Sequence, residues 1–99
     1  MDAFAIETAG GNRLRVSGEL GYGTAAAALR AGVAQLASRN EWIVDLGSVT
    51  SGDSAGLAVL VEWLSVVRAR GGAVRYENVP AQMRAIARIS DLEDLLLAR

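Results

Sequence analysis

The chain has 99 residues, enough for one compact domain and too few for two, so residues 1–99 are read as a single unit. It is 52% hydrophobic and 21% charged with a net charge of −1, which argues against disorder and supplies no bulk attraction to nucleic acid or anionic lipid. It contains neither cysteine nor histidine, which excludes disulfides, thiolate metal sites and Cys nucleophiles, and removes the usual general base and commonest metal ligand.

Residues 3–8 and 13–17 alternate in polarity around Gly10-Gly11-Asn12, the pattern of a β-hairpin whose turn needs positive φ. Gly18-Glu19-Leu20-Gly21 then breaks the strand. Thr24–Ala37 is rich in alanine with Leu29, Val33 and Leu36 at helical spacing, predicting a first helix that Gly32 weakens. Trp42–Leu46 is a short apolar run without alternation, expected of a strand covered on both faces. A turn is expected over 47–53. Residues 54–70 form the strongest helical segment, closed by Gly71-Gly72 with Arg68 and Arg70 in its last turn, where cations suit the helix dipole. Val74–Glu77 alternates as a strand. Pro80 suits the first position of a helix carrying Met83, Ile86 and Ile89 toward the core, and 91–97 predicts a final short helix. The fold class is therefore α/β: one mixed sheet of about four strands with an N-terminal hairpin, packed by three to four helices.

The ten basic residues are all arginine and are scattered, so no nucleic-acid stripe forms. The first residues lack a signal-peptide pattern. The longest apolar run, Leu57–Val61, is far short of the ~20 residues needed to span a bilayer. A cytoplasmic protein without direct membrane insertion is expected, and no cofactor or metal.

The chemistry-bearing stretch is Thr50–Leu60, where a hydroxyl-rich acidic turn abuts the long helix. Ser51, Asp53 and Ser54 are all possible helix caps. Gly52, Ser54 and Gly56 fit the Gly-x-Ser-x-Gly spacing of a nucleophile elbow, but the chain has no histidine or lysine to serve as base, so an enzyme is not expected. On the helix, Leu57, Leu60, Val61 and Leu64 form a stripe that suits the sheet, while Val59, Trp63 and Val66 fall nearly opposite. Trp63 either tucks against a neighbouring helix or anchors a partner, and the enrichment of Trp at protein contacts favours the anchor. Trp42 is expected to pack. Tyr22, between Gly21 and Gly23, lies in a loop bordering the same surface.

Val-Ser-Gly-Glu-Leu at 16–20, Val-Asp-Leu at 44–46, Asp-Ser-Ala-Gly-Leu at 53–57, Gly-Gly-Ala-Val at 71–74, Asn-Val-Pro at 78–80 and Ile-Ser-Asp-Leu at 89–92 occur in that order. Together they resemble the STAS domain of sulfate transporters and anti-sigma-factor antagonists, across nearly the whole chain. The length and the Ala-Arg-Ile-Ser-Asp-Leu ending are similar to the MlaB branch. That resemblance implies a non-enzymatic adaptor binding the MlaF-like ATPase of a phospholipid ABC transporter, held at the inner face of the inner membrane through its complex and serving outer-membrane lipid asymmetry. Its partner surface would comprise Asp53, Ser54, Ala55, Gly56, Ala58, Val59 and Trp63. The serine at 54 also resembles that of the antagonists, which implies the alternative: phosphorylation of Ser54 by a serine kinase, switching contact with an anti-sigma factor. A phosphate there would face the helix N-terminal amides and place charge beside Asp53. Position 55 is Ala where either branch carries Ser or Gly, and Gly52 stands where an apolar residue is usual.

Overall fold

The computed structural model describes residues 4–97. Their elements run β1 (Phe4–Thr8), β2 (Arg13–Leu20), α1 (Ala25–Leu36), β3 (Glu41–Gly52), α2 (Ser54–Ala69), β4 (Ala73–Glu77), α3 (Ala81–Ile89) and α4 (Glu93–Leu97). They build a four-stranded mixed sheet in the order β1-β2-β3-β4, with β1 antiparallel to β2 and the other pairs parallel. The hairpin turns at Gly10 and Gly11, both at positive φ, as the sequence predicts. No helix of the described residues is long and apolar enough to cross a membrane.

The sheet has one buried face. Leu14, Val44 and Tyr76 share one cross-strand row and Trp42 and Val74 another, and all five are buried. The residues between them point the other way. Arg13, Ile43 and Arg75 make one open row, and Arg15, Asp45 and Glu77 the next, with Arg13 and Arg75 both ion-paired to Glu77. The expectation that Trp42–Leu46 is covered on both sides is thus corrected: Ile43 and Asp45 are only half-buried, and a lattice of opposite charges faces solvent.

Two strand boundaries also differ from expectation. β2 does not break at Gly18 but continues to Leu20, and β3 continues through the residues expected to form a turn, as far as Gly52. The cause is in the register. Between the Arg15–Asp45 and Ser17–Ser48 pairs, β3 carries one residue more than β2, and between Gly18–Val49 and Glu19–Ser51 it carries another. Two β-bulges therefore accommodate Gly47, Ser48 and Ser51, residues more usual in turns than in a regular strand. Gly18 absorbs the second irregularity at φ 86°.

The helices fill the buried face. Trp63 of α2 is 1% exposed, its indole lying over Gly32 of α1, where a Cβ would come within 2.2 Å of the ring. The inward row of α1 is Ala28, Gly32 and Leu36, so Gly32 is the notch that admits the indole rather than a mere weakness in the helix. Trp42 is also buried as expected, its Nε1 donating to Leu36 O at 3.0 Å. Arg70, expected to complement its own helix dipole, instead caps its neighbour, donating to the backbone carbonyls of Leu36 and Arg39 at the end of α1.

In α3, Pro80 stands at the cap rather than inside the helix; Met83 is fully buried, Ile86 half-buried and Ile89 86% exposed. The expected core position of Ile89 fails because steps of three residues drift by about 60° around a helix, so Ala87 takes the inward place one turn beyond Met83. In α4, Leu96 is buried.

Candidate functional site

Leu20 pairs with Gly52, so β2 and β3 end side by side and the loops that follow them meet. One is Gly21–Thr24, leading into α1; the other is Asp53, the N-cap of α2. Such positions at the carboxyl ends of parallel strands are where α/β sheets commonly place their contacts.

Asp53 joins the two loops. Its Oδ1 accepts from the amides of Ala55 at 2.9 Å and Gly56 at 3.1 Å, and its Oδ2 accepts from the amide of Tyr22 at 3.1 Å. The amides of Gly56, Tyr22 and Ala55 hold the Asp53 carboxyl below the usual carboxylate range. Thr24 secures the other side: its hydroxyl accepts from the Gly21 amide at 3.0 Å and lies 3.1 Å from Glu19 O, to which it can donate. The residues were chosen for space as well as hydrogen bonding. A Cβ at Gly21 would meet the Asp53 carboxylate at 2.8 Å, and one at Gly56 would stand 1.8 Å from Leu20 O. The first turn of α2 therefore rides directly on the end of β2. At Gly52, a Cβ would collide with Met83 Sδ at 2.4 Å, so the methionine of α3 fills the volume that an apolar residue before the Asp would otherwise occupy.

Of the three possible caps, Asp53 serves. Ser54 is the first residue of α2, exposed, and its hydroxyl has no hydrogen bond among the described residues. The two amides expected to face a phosphate on Ser54 are already occupied by Asp53. A phosphate would therefore add its charge beside a carboxylate without gaining those donors.

The expected partner residues divide. Ser54 and Ala58 are exposed, and with Glu62 and Ser65 they form a continuous outward strip of small and polar side chains on α2. Asp53 and Ala55 are half-buried at its head. Gly56 is buried against β2 and serves the packing of the turn. Val59 at 4% exposure and Trp63 at 1% are sealed in the core and cannot reach a partner. Their expected role as contacts is corrected: α1 lies over that side of α2, and the indole Nε1 approaches Leu29 O at 3.4 Å. Sequence reading missed the bracing role of Gly21 and Thr24; the Gly-Tyr-Gly-Thr string marks a loop, but nothing local shows that its amide pairs with a carboxylate 31 residues on. Beside this loop lies an open depression of about 330 Å³, bordered by Glu19, Tyr22, Thr24, Gly52, Asp53 and Gln82 among others.

Residues 5–98 match the family model described as "Mlab, STAS domain". Among solved structures, the chain is similar to the anti-sigma-factor antagonist SpoIIAA in its unphosphorylated form, with 16% identity over 88% of this chain and 83% of that one and a TM-score of 0.67. It is similar also to the phosphorylated form of SpoIIAA, a Bacillus cell fate determinant, at 19% identity over 96% and 89% of the two chains and a TM-score of 0.66. A structure of Mglu shares 24% identity over 79% of this chain but only 20% of its own, with a TM-score of 0.59. These likenesses establish the fold. A search of curated proteins finds no match.

Proposed function

The chain belongs to the MlaB-type STAS domain family, and from that premise we propose that it is a non-enzymatic adaptor that docks on the nucleotide-binding ATPase of an Mla-type ABC transporter. STAS domains of this kind are generally regulators or adaptors that act through protein–protein contacts. The ATP chemistry would reside in the partner. The adaptor would sit at the inner face of the inner membrane through that complex and serve phospholipid trafficking and outer-membrane lipid asymmetry.

The observation that carries this reading is the outward strip Ser54–Ala58–Glu62–Ser65, left uncovered along a helix whose other side is buried in the core. Small side chains permit close approach of a partner backbone. The braced Asp53 cap fixes the strip's leading end before any partner arrives, which reduces the ordering lost on binding. The bulk of α2 is committed to the core, so the contact is one of shape at a rigid helix end.

One observation favours a second reading. The Ser54 hydroxyl is exposed, unengaged and beside Asp53, and SpoIIAA, of similar fold, exists in phosphorylated and unphosphorylated forms. On this reading the chain is an anti-sigma-factor antagonist whose docking is blocked when phosphate charge is added at Ser54.

Co-expression with the MlaF-like ATPase of the same genome tests the choice. The adaptor reading predicts co-elution on size exclusion, lost with Ser54→Asp and retained with Ser54→Ala. Absence of co-elution, with incorporation of phosphate at Ser54 by a cognate serine kinase, would replace it with the antagonist reading.

A further inference from the structure

Tyr22 stands beside the strip and has no task within the monomer. Tyr22 is 89% exposed, yet its backbone is held by hydrogen bonds. Asp53 Oδ2 grips its amide at 3.1 Å, the Thr24 hydroxyl accepts from the Gly21 amide at 3.0 Å, and the Thr24 amide donates to Gly21 O at 3.0 Å. An aromatic ring held out from an ordered backbone brings large contact area at small entropic cost, the property of binding anchors.

The surroundings indicate what the ring meets. The charged side chains bordering the adjoining depression are Glu19 and Asp53, both acidic. Asp53 is spent on three amides. Glu19 is exposed and has no ion pair among the described residues. An aromatic ring and an unspent carboxylate bordering one depression are complementary to a guanidinium group, which stacks on the one and pairs with the other.

We propose that Tyr22 and Glu19 form a second contact of the docking surface and receive an arginine side chain from the ATPase subunit. This rests on the adaptor reading and adds to it the chemistry of the partner at that point. The ring takes the guanidinium plane, the Glu19 carboxylate takes its N–H groups, and Asp53 positions the loop without touching the partner.

Calorimetric titration against the purified MlaF-like ATPase at two salt concentrations tests it. Tyr22→Ala should weaken binding about tenfold or more, whereas Tyr22→Phe, which keeps the ring, should stay within about threefold of the parent. Glu19→Gln should weaken binding several-fold and flatten its salt dependence. Both positions are exposed, so melting temperatures should not move. Parental affinity in Tyr22→Ala, alongside loss of binding in Ala58→Arg, would overturn this inference and leave the adaptor reading standing. Equal losses in Tyr22→Phe and Tyr22→Ala would overturn the ring-face contact. Failure of the parent protein to bind would overturn the adaptor reading, and this inference with it.

Discussion

The two sides of α2 carry opposite kinds of residue. Inward lie Leu57, Val59, Leu60, Trp63, Leu64 and Val67, all buried; outward lie Ser54, Ala58, Glu62 and Ser65, all exposed. In sequence the helix looks greasy nearly all round, which suggests a surplus of apolar surface awaiting a partner. In the structure most of that apolar surface is covered, because the helix is clasped between the sheet and α1, and of its larger apolar residues only Val61 and Val66 stay half-buried. What remains for a partner is the small strip. Apolar bulk on this helix therefore reports on the core, and the proposed docking surface is the exposed strip of Ser54, Ala58, Glu62 and Ser65.

The largest effect that would test this division is at Trp63. Trp63→Ala should lower stability by about 3–5 kcal/mol in urea denaturation, because the indole fills the notch over Gly32 and leaves a cavity when removed. A loss below about 1 kcal/mol would place the indole outside the core. Next is the close fit under the site. Gly52→Val should cost about 1–3 kcal/mol by overpacking against Met83, and Met83→Ala in the same chain should return part of that loss. Strict additivity of the two changes would deny the contact.

Smaller again is Tyr76→Phe. The buried hydroxyl donates to Leu60 O at 2.6 Å, so its removal should cost about 1 kcal/mol. Burial raises the Tyr76 pKa well above the ordinary value; stability should therefore fall as pH rises past the unfolded pKa of about 10, and Tyr76→Phe should remove that alkaline limb.

The smallest effect expected is on the acid side. The Asn78 side chain and the Gly47 amide hold the Asp45 carboxyl below its ordinary range, and backbone amides do the same for Asp53. A depressed folded pKa gives stability that is complete above the unfolded value of about 3.9 and is lost as pH falls through the folded value. Asp45→Asn and Asp53→Asn should each narrow their gap from the parent when melting is measured at progressively lower pH. A gap that stays constant would show that neither carboxylate gains from its donors.

The order of elements was legible because each has a local signature: the glycine hairpin, the alanine-rich helix, the hydroxyl-rich acidic turn with its following apolar run, the Gly71-Gly72 stop and Pro80 before α3. The turn before α2 was legible for the same reason, but which of Ser51, Asp53 and Ser54 caps the helix was left open and only the structure assigns it to Asp53. The failures share a cause in contacts between distant residues. Gly47–Gly52 reads as a turn because its composition is that of a turn, and only pairing with β2 shows it to be a bulged strand. Trp63 reads as an anchor because nothing in its own helix announces the Gly32 notch, 31 positions back, whose Cβ space it fills. Gly52 looks out of place until Met83 is seen beneath it.

Ala58 lies at the middle of the outward strip. Ala58→Arg should leave stability within about 0.5 kcal/mol of the parent, as an exposed helical substitution does. Calorimetric titration of this variant with the MlaF-like ATPase should nevertheless show binding weakened by about a hundredfold or more, as expected when a bulky charge enters a close-packed interface. Unchanged affinity would contradict the assignment of this strip as the docking surface.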